Sequence, residues 1–124
     1  MLKNIKILVK SFSHAFDGLA YVMKRERNFQ IEVFFAILVL VLILILDVKN
    51  WEAVVLILMI AVVLVTELAN TVVERVVDML KPKIHPYARV IKDIMAAVVL
   101  ISSFVATIIG VIIFYPYFKE IMGI

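Results

Sequence analysis

Long apolar stretches separated by short polar clusters organise this chain. Val33–Leu46 is fourteen apolar residues without a break. A bilayer core needs ~20 helical residues, so this helix is expected to extend back through the cluster Lys24–Glu32. That would put Glu26 and Glu32 near the interface on one helix. Six residues separate them, about 240° at 3.6 residues per turn, so they would face different ways. Asp47-Val48-Lys49-Asn50 reads as a short turn, with Trp51 as an interfacial anchor. From Ala53 to Val65 the chain is purely apolar, then gains charges while keeping helical periodicity through Asp78. Pro82 and Pro86 are expected to end that helix. Ile94–Phe114 forms the last apolar stretch, closed by the aromatics of Tyr115-Pro116-Tyr117-Phe118. Within it Ser102, Ala106 and Gly110 share one face. Small residues at that spacing either let helices approach closely in lipid or belong to a tolerant apolar span.

The N-terminal segment has a different pattern. Ile5, Leu8, Phe12, Phe16 and Leu19 recur at three- and four-residue steps, while Lys3, Lys6, Lys10 and Asp17 lie mostly off that stripe. A basic amphipathic helix beside membrane spans is expected to lie in the headgroup plane; a partly disordered basic tail is the alternative. The reading is an all-α membrane protein of one domain, 1–124. It has an N-terminal surface helix at about 2–22 and spans at about 28–47, 52–80 and 87–115.

Composition supports this class. The chain is 65% hydrophobic, against ~45–50% for a soluble domain. The basic N-terminus leads into an interrupted amphipathic stretch, which is not the pattern of a secretory signal. Without cysteine no disulfide or thiolate metal site forms. The net charge of +3 comes from basic residues flanking apolar runs, a topology pattern and not a nucleic-acid-binding face. Lys3, Lys6, Lys10, Lys24, Arg25 and Arg27 precede the first span; Lys81, Lys83, Arg89 and Lys92 lie between the second and third. The first loop has only Lys49 and the C-terminal tail only Lys119. The positive-inside rule then puts the N-terminus in the cytoplasm and the C-terminus outside.

The second span carries the candidate chemistry. Glu67, Asn70, Glu74 and Asp78 form one helical stripe about 80° wide and about 16 Å long, with Val72, Val73, Val76 and Val77 expected on the opposite face. A charge near the bilayer centre costs at least ~2.5–3.5 kcal/mol, so such a stripe must face protein, water or metal. Carboxylates with an amide make a hard-oxygen site suited to Mg²⁺. A metal-free carboxylate could act as a general base for a hydroxyl. Lys92, at the mouth of the next helix, could hold phosphate oxygens as a point charge. Alternatively, Asp78 and its neighbours are a solvated helix end partly neutralised by Arg75 and loop lysines. His85, between prolines, reads as a loop or capping histidine sooner than as a ligand, since no second histidine lies near it in the sequence to support a metal site. The three glycines do not cluster, so there is no glycine-rich phosphate loop.

The block Glu67-Leu68-Ala69-Asn70-Thr71-Val72-Val73-Glu74-Arg75-Val76-Val77-Asp78 resembles the signature of the small bacterial membrane diacylglycerol and undecaprenol kinases. Glu26-Arg27-Asn28-Phe29, His85-Pro86 and Lys92-Asp93 fall at matching distances, and the first two are more similar to the Gram-positive undecaprenol kinase branch. The resemblance implies a homotrimer in the bacterial cytoplasmic membrane, with composite sites at the cytoplasmic interface. It implies ATP and Mg²⁺ as phosphate donor and cofactor, and a membrane lipid alcohol, undecaprenol or diacylglycerol, as acceptor. By position, Glu26 and Glu74 would hold metal and Glu67 would be the base. Asn70, Lys92 and Asp93 would complete the catalytic site, with Lys92, His85 and Asp78 near the nucleotide. The chain departs from the family pattern at Ile94-Met95-Ala96, where small residues are usual, and at Ile84, where an aromatic often precedes the histidine. Glu32 occupies a position that varies between branches. Two other classes fit the acidic stripe alone: a small proton or cation conductor, and an assembly subunit that binds a partner helix. Neither needs Glu26, Glu74 and Lys92 at one mouth.

Overall fold

The computed structural model describes residues 1–80 and 86–124, and these are all helix and tight turn. Four helices follow in order: α1 (Leu2–Arg25), α2 (Arg27–Ile45), α3 (Asn50–Leu80) and α4 (Pro86–Ile121). The last three are long and apolar enough to cross a membrane. Most large apolar side chains on them are exposed, among them Phe34, Phe35, Leu44, Leu100, Phe104 and Ile112. In water that surface would aggregate; in a bilayer it meets lipid tails. Three such helices with that surface are the build of an integral membrane protein.

The first difference from the sequence expectation is at Glu26. This residue is not helical: its φ of −105° and ψ of 108° are extended, and it separates α1 from α2. One residue thus ends one helix and starts the next. Its N–H donates to Val22 O at 2.8 Å, and its carbonyl accepts from Gln30 N at 3.1 Å. Gln30 Nε2 donates to Met23 O at 2.8 Å, satisfying a carbonyl that the end of α1 would otherwise orphan. Val22 and Phe29 are buried on either side of the corner. Glu26 therefore projects from a bend, not from the side of the first span.

At the opposite end of α2, Asp47 takes a φ of 50°. Aspartate tolerates this left-handed conformation better than most side chains, and it closes a tight turn into α3. Glu52, in the first turn of α3, accepts from Lys49 N–H at 3.2 Å. Tyr117 Oη donates to the same oxygen of Glu52 and accepts from Lys49 N–H at 3.3 Å. Beside them Val48, Leu56, Ile113 and Phe114 form the buried core. The core therefore sits at this hairpin end. There α4 continues through Pro116 to Ile121 instead of stopping at the aromatic segment. Proline removes one backbone donor from the helix, and membrane helices tolerate this where neighbouring groups compensate.

Helix α3 has 31 residues and no internal breaker, about 46 Å at 1.5 Å per residue. A hydrocarbon core takes up ~20 residues, so counting from Trp51 leaves Glu67 inside it and Glu74 and Asp78 past its edge. α3 packs most extensively on α4, with α2 laid against α3 and α1 against α2. Two local expectations change. Val77 is buried, whereas Val72 and Val76 are exposed; at about 60° from the centre of the acidic stripe it flanks that stripe and does not oppose it. Ser102 does meet a neighbour, with its Oγ 3.1 Å from Thr66 Oγ1. A Cβ built on Gly110, however, would meet nothing within 4 Å. In one protomer the small-residue face is therefore not a close helix seam along its whole length.

Candidate functional site

The acidic stripe of α3 ends against the α1–α2 corner. Glu67 lies deepest and is 1% exposed. Its backbone carbonyl accepts from Thr71 Oγ1 at 3.1 Å, but its Oε2 is buried without a hydrogen-bond partner. Such a group costs roughly 1–3 kcal/mol or more when left unpaired, and most if charged. Glu67 is also within electrostatic reach of Glu74 and Glu26. Three carboxylates thus converge from two places in the chain.

One helical turn toward the polar end, Asn70 Nδ2 donates to Glu74 Oε1 at 3.4 Å. This is the i, i+4 geometry that lets an amide orient a carboxylate. Glu26 is paired with the Arg75 guanidinium. Arg75 also reaches Tyr21 on α1, so this one side chain ties the corner, α1 and α3 together. At the tip of the site Lys92 Nζ lies 2.6 Å from Asp78 Oδ1, with both side chains substantially exposed. Pairs of this kind contribute about 0–1 kcal/mol, so this one positions charge more than it stabilises the fold.

The fold therefore brings together Glu26, Glu67, Asn70 and Glu74. It pairs Asp78 with Lys92 at the mouth and leaves Asp93 exposed beside them. His85 lies outside the described residues. Arg75, which the alternative reading of the stripe assigned to neutralising its own helix end, crosses to Glu26. Glu32, uncertain from sequence, lies within electrostatic reach of Glu67 and next to Ser103. Ser103 carried no signal beyond a hydroxyl in an apolar run. A polar side chain at that depth is itself a marker worth following.

The donor set can be compared with the needs of a metal. Among the described residues no three Asp, Glu, His or Cys side chains form a ready cation cage. Mg²⁺ does not require one, since it is commonly held by one or two carboxylates and completes its shell with water and substrate phosphates. Glu26 and Glu74 match that requirement in kind.

Comparison with known proteins gives a consistent result. A family model described as prokaryotic diacylglycerol kinase matches residues 13–114. The chain is 36% identical over 107 residues to an undecaprenol kinase of Bacillus subtilis, covering 86% of this chain and 87% of that one. It is 32% identical over 116 residues to a diacylglycerol kinase of Synechocystis, covering 93% of this chain but 66% of the longer relative. Similarity to the diacylglycerol kinase of Escherichia coli is 30% over 111 residues, covering 90% of this chain and 91% of that one.

Proposed function

The chain belongs to the prokaryotic diacylglycerol kinase family and is a lipid kinase; from that premise we propose that it transfers the γ-phosphate of ATP, with Mg²⁺, to the primary hydroxyl of a membrane lipid alcohol, undecaprenol or diacylglycerol. The observation that carries this reading is the buried Glu67 carboxylate, whose Oε2 has no hydrogen-bond partner, within electrostatic reach of Glu26 and Glu74.

In this reading Glu67 Oε2 accepts the proton of the lipid hydroxyl as its oxygen attacks the γ-phosphorus. The new O–P bond forms as the bond to the bridging oxygen of ADP breaks, and ADP leaves. Glu26 and Glu74 would hold Mg²⁺, which when bound neutralises charge on the β- and γ-phosphates. Asn70 orients Glu74. Lys92, Asp78 and Asp93 stand at the mouth, where Lys92 exchanges its Asp78 partner for phosphate oxygens. His85 is proposed to lie near the nucleotide. The site works by holding groups in place and by charge compensation, as phosphoryl transfer generally requires.

The proposed assembly is a homotrimer with composite sites, the polar end facing the bacterial cytoplasm. The basic residues around the polar end support that orientation. The exposed apolar stripe of Ile5, Leu8, Phe12 and Phe16 supports α1 lying in the headgroup plane. The test is phosphorylation of undecaprenol and diacylglycerol by the purified protein in mixed micelles with labelled ATP, dependent on Mg²⁺. Loss of labelling in Glu67→Gln and Glu74→Gln is the expected result. Unchanged labelling in both variants would overturn the assigned roles.

A further inference from the structure

Glu26 and Arg75 meet from two different elements, and Glu26 does not do what its place in the chain invites. It stands at the N-cap of α2, yet its side chain makes no cap hydrogen bond, although a carboxylate there can accept from the first N–H groups of the helix. It is paired with Arg75 instead. Arg75 follows Glu74 on α3 and so points about 100° round the helix from it. Its guanidinium lies within electrostatic reach of Glu26 and Glu74 and also donates to Tyr21. The Tyr21 ring is in turn covered by Arg25, whose Cζ is 4.7 Å from the ring centroid. The Glu26 side chain is 17% exposed and that of Arg75 41%, so the pair is neither sealed from solvent nor fully open to it.

Charge gives this pair a consequence. Glu67 stands within electrostatic reach of both Glu26 and Glu74, and Arg75 compensates part of that negative charge from the Glu26 side. A divalent cation at Glu26 and Glu74 would meet the like charge of the guanidinium, so Glu26 has to give up Arg75 to hold it. Once displaced, Arg75 has little to turn to. It lines a cleft of about 550 Å³ between α1 and α3, whose other polar lining residues among those described are Tyr21 and Thr71. Thr71 Oγ1 already donates to the Glu67 carbonyl, and Leu19, Val22 and Leu68 are among the apolar walls. A guanidinium left without an anion against such a surface is costly. A phosphate beside the cation removes that cost, because the guanidinium fork matches two phosphate oxygens.

We propose that Arg75 is an exchangeable counter-ion: it holds Glu26 while the site is empty and passes to the nucleotide's phosphate oxygens when Glu26 takes up the metal, so that metal and nucleotide bind well only together. This rests on the kinase reading and gives Arg75 a phosphate-binding role besides its place in the joint between α1 and α3. Two effects of opposite sign follow from its loss. The carboxylates hold a cation alone more tightly, and the site holds the nucleotide more weakly. A residue that only fastened α1 to α3 would, when lost, loosen both.

The test measures Mn²⁺ binding to the purified full-length protein in nonionic detergent without nucleotide, read from the electron paramagnetic resonance signal of the free ion. The KM for ATP in lipid phosphorylation is measured beside it. Arg75→Gln should lower the Kd for Mn²⁺ about tenfold and raise the KM for ATP about tenfold. Adding Glu26→Gln to Arg75→Gln should remove the gain in Mn²⁺ affinity, since the gain acts through Glu26. Should Arg75→Gln fail to fold, Arg75→Lys takes its place: a point charge without the fork should move both constants in the same directions by smaller factors. Unchanged or weaker Mn²⁺ binding in the folded Arg75 variant overturns the exchange. An unchanged KM for ATP, or a gain that survives Glu26→Gln, overturns it too. Failure of wild type to phosphorylate either lipid overturns the kinase reading instead, and the Mn²⁺ comparison then still decides whether Arg75 shields Glu26.

Discussion

Helix α3 buries a carboxylate near each end, and the two are held in opposite ways. Glu52, at the hairpin end, is 9% exposed and receives hydrogen bonds from Lys49 N–H and Tyr117 Oη. Glu67, fifteen residues on by number, is 1% exposed and keeps one oxygen without a partner. Glu52 sits beside the buried apolar cluster of Val48, Leu56, Ile113 and Phe114. Glu67 sits among other carboxylates. The fold satisfies the buried acid at the hairpin joint and leaves one oxygen of the other unsatisfied, where the proposed mechanism has the lipid hydroxyl supply the partner. Burial does not distinguish these two acids; the state of their remaining lone pairs does.

The largest effect that separates the two ends is expected from Glu67→Gln. Loss of a general base costs about 10²–10⁴ in rate, so kcat for lipid phosphorylation should fall at least a hundredfold while the melting temperature holds or rises. A variant that melts earlier and keeps its kcat would reverse the assignment. Next comes the hairpin end. Tyr117→Phe removes the donor to Glu52 and should destabilise by about 1–3 kcal/mol, read as a lower melting temperature in detergent. Its kcat should stay within twofold of wild type; a large drop in kcat without loss of stability would show that the hairpin end also takes part in chemistry. The smallest stability effect is expected at the mouth. Asp78→Asn breaks an exposed pair worth about 0–1 kcal/mol, so its melting temperature should barely move, while the freed Lys92 changes the KM for ATP. An unchanged KM would remove Lys92 from the nucleotide's surroundings.

The sequence revealed the helices well, because fourteen uninterrupted apolar residues and a stripe repeating at three and four leave few other structures. It also revealed that Glu67, Asn70, Glu74 and Asp78 share a face. Contacts between distant segments remained hidden. Arg75 and Glu26 are 49 residues apart and Tyr117 and Glu52 are 65 apart; periodicity describes one helix at a time and cannot pair such positions. The break at Glu26 was missed because one extended residue between two helices needs neither glycine nor proline. Continuation through Pro116 was missed for the opposite reason: the neighbouring Tyr117 and Phe114 are anchored in the hairpin end, and that packing outweighs the breaker. Val77 was misassigned because it lies on the margin of its stripe, where helical angles alone do not determine burial.

The central claim is that the unsatisfied carboxylate of α3 is the reactive one. Its most direct test is a side-by-side measurement of phosphate transfer from labelled ATP to undecaprenol and diacylglycerol by wild type, Glu52→Gln and Glu67→Gln. Labelled lipid with wild type and Glu52→Gln, and none with Glu67→Gln, is the predicted result. Labelling by Glu67→Gln at the wild-type rate would contradict it.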